Sequence, residues 1–86
     1  MKKIWSDRAW EDYLHWQSQD VKILKKINKL LGEIDRHPFK GTGHPEPLKH
    51  AKQGYWSRRI NGSDRLVYRI EKDSIEIAQC RAHYDD

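Results

Sequence analysis

Apolar residues recur with two different periods along this chain, and the change of period separates a helical first half from a β-rich second half. After Ser6, a good N-cap with Asp7 in the following turn, Trp10, Tyr13, Leu14 and Gln17 fall at helical spacing and predict a helix over 6–17. Asp20 opens a second helix. Its apolar positions are Leu24, Ile27, Leu31 and Ile34, with Ile23 and Leu30 beside them, while Lys22, Lys25, Lys26 and Lys29 take the opposite face. Pro38 disfavours helical geometry at His37, so this helix should end near Arg36. The two helices are close enough in sequence to form an antiparallel hairpin, and their apolar stripes need a sheet to cover.

That sheet comes from runs 55–60, 65–70 and 75–81, which are rich in β-formers. The polar links Asn61-Gly62-Ser63-Asp64 and Glu71-Lys72-Asp73 are short enough for antiparallel hairpins. Residues 2–5 form a short candidate opening strand. In the middle run the period of two puts Leu66, Tyr68 and Ile70 on the helix side and Arg65, Val67 and Arg69 on the other. In the last run Arg81 and His83 share a parity. The expected architecture is α+β, an N-terminal helical hairpin on one face of an antiparallel sheet whose other face is open. Between the halves, 38–54 holds Pro38, Gly41, Gly43, Pro45, Pro47 and Gly54. A connection this long in so small a chain is usually functional or disordered. Pro45 and Pro47 restrict the backbone on both sides of Glu46, which suits a positioned carboxylate or an ordinary rigid turn.

Length and composition narrow the class. Eighty-six residues suit one domain, 1–86, and with 36% hydrophobic and 35% charged residues its core must be thin. Four Trp, four Tyr and one Phe compensate, because each buries a large area. The single cysteine, Cys80, rules out an intrachain disulfide and fits a reducing compartment. No apolar run approaches membrane-spanning length and no signal peptide is legible, so a cytoplasmic location is expected. Net charge is +4. Residues 49–81 carry eight Lys/Arg against four Asp/Glu, including Lys49, Lys52, Arg58, Arg59, Arg65, Arg69 and Arg81. Such an excess favours a polyanion, nucleic acid above all.

Cleavage of RNA through its own 2′-hydroxyl requires a base, an acid and a cation on the phosphate. Glu46 is the candidate base and His83 the candidate acid, since histidine can give a proton near neutral pH. Arg65 can hydrogen-bond two phosphate oxygens. Tyr84 can orient the phosphate or stack on a base, and Lys49, His50 and Arg59 can hold neighbouring phosphates or assist in catalysis. Tyr55 and Trp56 suit stacking on bases, although strand aromatics more often belong to a core. No metal is needed: Asp12 with His15, or His37 with His44, does not make a spaced ligand set. Ser57 and Cys80 lack an activating partner, with Cys80 reading as core filling. Gly41-Thr42-Gly43 lacks the continuation of a phosphate loop. Two rivals share these residues: a basic module that blocks translation by binding RNA or the ribosome without cutting, and a nuclease that acts on free RNA.

Several blocks also carry a family resemblance over essentially the whole chain. These are Ile4-Trp5-Ser6, Pro38-Phe39 with Gly41 and Gly43, Pro45-Glu46-Pro47-Leu48-Lys49-His50, Trp56-Ser57-Arg58-Arg59-Ile60, Arg65-Leu66-Val67-Tyr68, and Cys80-Arg81 with His83-Tyr84. In them the chain resembles the YoeB/Txe toxins of the RelE superfamily, which are toxin–antitoxin mRNA interferases. The resemblance implies a microbial ribonuclease-like fold, cleavage of mRNA in the ribosomal A site and arrest of translation. It implies Glu46 and His83 as the acid/base pair, Arg65 as the phosphate-binding arginine, and a role for Tyr84. Products would be a 2′,3′-cyclic phosphate or 3′-phosphate and a 5′-hydroxyl, with no cofactor. The implied partners are a cognate YefM/Axe-type antitoxin, the ribosome with its mRNA, and operator DNA only through the antitoxin complex. A homodimer is compatible with it. Family chains commonly finish at or just after the tyrosine, whereas Asp85-Asp86 follow here; removing them should leave activity intact or slightly raised.

Overall fold

One serine ends the first strand and starts the first helix. In the computed structural model, which describes residues 1–84, β1 (Lys2–Trp5) stops at Ser6, whose Oγ accepts the Ala9 N–H at 3.0 Å and donates to the Ala78 carbonyl at 2.9 Å. Asp20 does comparable double duty. Its N–H closes α1 (Asp7–Gln19) on the Trp16 carbonyl, and its carboxylate accepts from Lys22 and Ile23 to open α2 (Val21–Arg36). The second helix ends where Pro38 places its limit.

The remaining elements are β2 (Glu46–Pro47), a 3-10 turn (His50–Lys52), β3 (Trp56–Arg59), β4 (Arg65–Glu71) and β5 (Ser74–Gln79). They form a five-stranded sheet in the order β1-β5-β4-β3-β2. The hairpins β3–β4 and β4–β5 are antiparallel as expected. The sheet as a whole is mixed, because β1 runs parallel to β5, with Lys2 opposite Ser74 and Trp5 opposite Ile77. A parallel pair needs a long crossover, and here two helices lie between β1 and the rest of the sheet. At the other edge Glu46 lies in a strand rather than a loop, paired with Ser57 on β3.

Ile27, Leu30, Leu31 and Ile34 of α2 close over Leu66 and Tyr68 of β4 and Ile75 and Ile77 of β5, with Ala9 and Cys80 completing the core. Helix α1 is rotated from the expected stripe. Ala9 and Asp12 are its buried residues, while Trp10 and Leu14 are 46% and 43% exposed. Asp12 turns inward because its carboxylate accepts the buried Cys80 N–H at 3.1 Å. Opposite Val67–Tyr68 the register of β5 passes from Gln79 to Ile77, leaving Ala78 as an extra, bulged residue. The bulge reverses side-chain parity, so Ile75, Ile77 and Cys80 all reach the core while Gln79 shares the face of Val67. Burial pushes the Cys80 thiol up to about 12, with the Asp12 carboxylate adding to it.

Two basic residues do not serve the charged face. Arg58 is fully buried and donates to Glu33, to Tyr68 and to the carbonyls of His37, Lys40 and Thr42. Arg69 is held by Glu76, with Glu71 nearby. Val67 is also fully buried, so the face away from the helices is not open throughout. Asp85 and Asp86, and the effect expected of removing them, lie outside the described residues.

Candidate active site

Strand register alone gathers most of the candidate residues. Glu46 pairs with Ser57, and Arg59, two residues along β3, pairs with Arg65. Paired residues point the same way, so these four side chains share the sheet face opposite the helices. There they border a hollow of about 440 Å³ that His83 and Tyr84 also line. Lys49 and His50, just beyond β2, complete the set, so Glu46, Lys49, His50, Arg59, Arg65, His83 and Tyr84 all line one concavity. Among the described residues that line it, Glu46 is the one acid, against Lys49, Arg59 and Arg65. The field in the hollow therefore favours an anion.

Three chain segments carry these groups, and each is fixed by its own bonds. The Glu46 arm lies along β3: the Gly43 carbonyl accepts the Arg59 N–H at 2.6 Å, and the Leu48 N–H donates to the Tyr55 carbonyl at 2.8 Å. Gly43 has φ +88, and a Cβ there would stand 2.9 Å from the Arg59 carbonyl oxygen, so only glycine allows this approach. His44 and His50, on either side of Glu46, adopt left-handed φ of 54° and 51°. Such strain in non-glycine residues concentrates at functional sites. Nothing in the sequence signals it at His50.

Arg65 opens β4 directly after the Asn61–Asp64 turn. Its Nη1 donates to the carbonyls of Asn61 at 2.9 Å and Asp64 at 3.2 Å, which orients the guanidinium. Among the described residues neither Arg59 nor Arg65 has a carboxylate partner, in contrast to Arg58 with Glu33 and Arg69 with Glu76.

The His83 arm begins where β5 ends. Trp16 Nε1 donates to the Cys80 carbonyl at 2.8 Å, and Arg8 and Gln79 donate to that of Arg81, each at 3.1 Å. Asp64 accepts the Ala82 N–H at 2.7 Å. The segment leading to His83 is thus bonded to α1 and to the β3–β4 turn, not frayed. Asp12, Arg58 and Asp64 support the site, and sequence reasoning missed all three roles. Each lies far in sequence from what it holds, so no local pattern marks it.

Other candidates fall elsewhere. Trp56 packs with Phe39, ring centroids 4.8 Å apart, against the core on the helix side. The Tyr55 ring has Lys52 Nζ 4.4 Å and the Arg69 guanidinium 5.1 Å from its centroid. Neither lines the hollow. Among the described residues no three His, Cys, Asp or Glu side chains converge as a metal site, and no helix is long and apolar enough to cross a membrane.

Known proteins match this chain over nearly its whole length. A family described as "YoeB-like toxin of bacterial type II toxin-antitoxin system" matches residues 5–84. Toxin YoeB of Escherichia coli (strain K12) is 56% identical over 84 residues, covering 98% of this chain and 100% of the relative. A solved "YoeB/ParE toxin from Agrobacterium tumefaciens" superposes with a TM-score of 0.95 at 46% identity, covering 98% of this chain and all of that one. Two Staphylococcus aureus structures, a YoeB dimer and a heterotetrameric YoeB-YefM complex, superpose with TM-scores of 0.92 and 0.91 at 47% identity, each covering 98% of both chains. The chain belongs to the YoeB family of toxins of bacterial type II toxin–antitoxin systems.

Proposed function

We propose that this toxin is a metal-independent endoribonuclease that cuts mRNA in the ribosomal A site and thereby stops translation. The observation that carries this reading is the convergence of Glu46, Arg65 and His83, from three separate segments, on one hollow with a cationic surround. Glu46 removes the proton of the 2′-hydroxyl as the 2′-oxygen attacks phosphorus. The bond from phosphorus to the 5′-oxygen breaks, and His83 gives that oxygen a proton. The products are a 2′,3′-cyclic phosphate and a 5′-hydroxyl. Arg65 hydrogen-bonds the phosphoryl oxygens as charge builds on them. Lys49, His50 and Arg59 hold adjacent phosphates, and Tyr84 orients the scissile group.

The catalytic residues are few, so alignment of the RNA falls to the ribosome, which fixes the nucleophile in line with the leaving group. Acting on translating ribosomes places the protein in the cytoplasm. A YefM-type antitoxin, as in the S. aureus heterotetramer, is the partner that silences it, and operator DNA is met only through that complex. A homodimer, as solved for the S. aureus protein, is compatible with this reading.

Primer extension on a defined mRNA in a purified translation system tests the reading. Wild type should cut within the A-site codon, and Glu46→Ala and His83→Ala should each lower the rate about 10²- to 10⁴-fold. Arrested translation with intact mRNA, equal in all three proteins, would make this a non-catalytic inhibitor. Equal cutting of the same RNA without ribosomes would remove the A-site assignment.

A further inference from the structure

We propose that Asp64 is a positioning residue: with the left-handed Ala82 it fixes where His83 stands relative to Arg65. The inference rests on the reading of His83 as the general acid.

Both backbone groups of Ala82 are taken up by two consecutive residues of the β3–β4 junction. Its N–H donates to Asp64 Oδ1 at 2.7 Å, and its carbonyl accepts the Arg65 N–H at 3.1 Å. The residue immediately before the acid is therefore docked on the residue that binds phosphate and on its neighbour. One residue earlier, Arg8 and Gln79 hold the Arg81 carbonyl, each at 3.1 Å. Strand β5 has ended at Gln79, and Arg81, Ala82 and His83 are exposed, so neither a strand ladder nor core burial holds them. Gln79 Nε2 reaches the Ala82 carbonyl only at 3.4 Å.

The docked conformation also has a cost that something must offset. Ala82 has φ 73, a region an alanine leaves when unrestrained. A hydrogen bond to a carboxylate is among the stronger ones available, and this one is short. Its acceptor is itself held. Asn61 Oδ1 accepts the N–H groups of Ser63 at 2.8 Å and Asp64 at 2.7 Å, and the Asp64 carbonyl accepts from Ile60 at 2.9 Å. Asp64 thus presents a fixed oxygen to Ala82, and the strained residue points the chain back over the hollow.

Cleavage kinetics on programmed ribosomes and amide exchange of the free toxin test this together. Asp64→Ala should lower kcat about tenfold or more, with KM for the programmed ribosome nearly unchanged, because the acid is misplaced while binding groups stay. Asp64→Asn keeps an oxygen that accepts the same N–H and should retain most of kcat. In the Asp64→Ala background, Ala82→Gly should recover part of the loss, since glycine takes positive φ without strain. The Ala82 amide should exchange faster in Asp64→Ala while core amides such as Leu66 stay protected. Wild-type kinetics in Asp64→Ala, or a loss that follows the melting temperature and is not recovered by Ala82→Gly, would overturn the proposal. Unchanged Ala82 exchange would refute the clamp even if the wild type cuts mRNA. A wild type that cuts no mRNA would end the functional reading, and this role for His83 with it, whatever the exchange shows.

Discussion

Replacing Arg58 by alanine should unfold much of this protein's margin and loosen the Glu46 arm in particular. The guanidinium is fully buried and makes five bonds: to Glu33 Oε1 at 3.2 Å, Tyr68 Oη at 3.2 Å, and the carbonyls of His37, Lys40 and Thr42 at 2.6, 2.9 and 3.2 Å. Removing it strands these acceptors inside the fold. Breaking a buried ion pair from one side costs roughly 3–5 kcal/mol. Total stability for a chain of this length is about 4–13 kcal/mol at the usual value per residue. The loss is therefore a third or more of the total in most of that range. With a urea m-value near the low end for small proteins, ~1–1.5 kcal/mol/M, the midpoint should fall by roughly 2–5 M. Tryptophan fluorescence reports the transition, since Trp56 packs on Phe39 in the segment that Arg58 ties down. Arg58→Lys should sit between the two, because one ammonium offers three donors from a single point. A midpoint shift under about 0.5 M for Arg58→Ala would show that the network contributes little, and the reasoning would fail.

Two further outcomes follow from the same region. Gly43→Ala puts a Cβ 2.9 Å from the Arg59 carbonyl oxygen at φ +88, so β2 must pull away from β3. Cleavage should fall at least tenfold while the melting temperature drops only a few degrees; full activity would mean that the Glu46 arm needs no close approach to β3. Acid should destabilise the protein in a defined window. Hydrogen bonds from Thr42, and then the Arg58 charge, hold Glu33 below its usual 4.5, and Lys3, followed by the N-terminal ammonium, holds Asp35 below 3.8. Folded-state values that are lowered give stabilisation fully present above the unfolded values and lost as pH falls through the folded ones. Urea midpoints should hold above pH 4.5 and decline below it, less steeply in Glu33→Gln. Equal slopes in variant and wild type would contradict this.

Local features were legible in the sequence and long-range ones were not. Ser6 and Asp20 cap their helices because capping involves residues two or three apart, which a linear reading sees. The alternation in β4 placed Arg65 and Tyr68 on opposite faces for the same reason. Glu46, Arg65 and His83 were nameable from their chemistry and from the family blocks, but not their meeting place, which depends on strand register. The parallel pairing of β1 with β5 joins residues some seventy positions apart and leaves no local trace. The rotation of α1 was misread because Trp10 and Leu14 look like core residues. The orientation is decided by Asp12, an acid that a distant backbone N–H draws inward. Arg58 misled for the opposite reason: next to Arg59 in a basic stretch it reads as surface charge, and its partners lie ten or more residues away.

These buried and half-buried charges share a pattern that the thin core explains. A chain with so few apolar residues cannot hold its loops by burial, so polar bonds fix each segment entering the hollow. Arg58 ties down 37–42 ahead of Glu46. Asp12 and Asp64 tie down 80–82 ahead of His83. The carbonyls of Asn61 and Asp64 aim Arg65. The two sets of bonds are separate: the Arg58 bonds touch none of residues 80–82, and the Asp64 bond to Ala82 touches none of 37–48. Damage to one arm should then leave the other in place. Arg58→Lys should disturb the Glu46 arm with its neighbouring phosphate contacts, raising KM as well as lowering kcat, whereas Asp64→Ala should lower kcat almost alone. Because these two sets of bonds share no residue, the two changes combined should multiply their effects on kcat/KM.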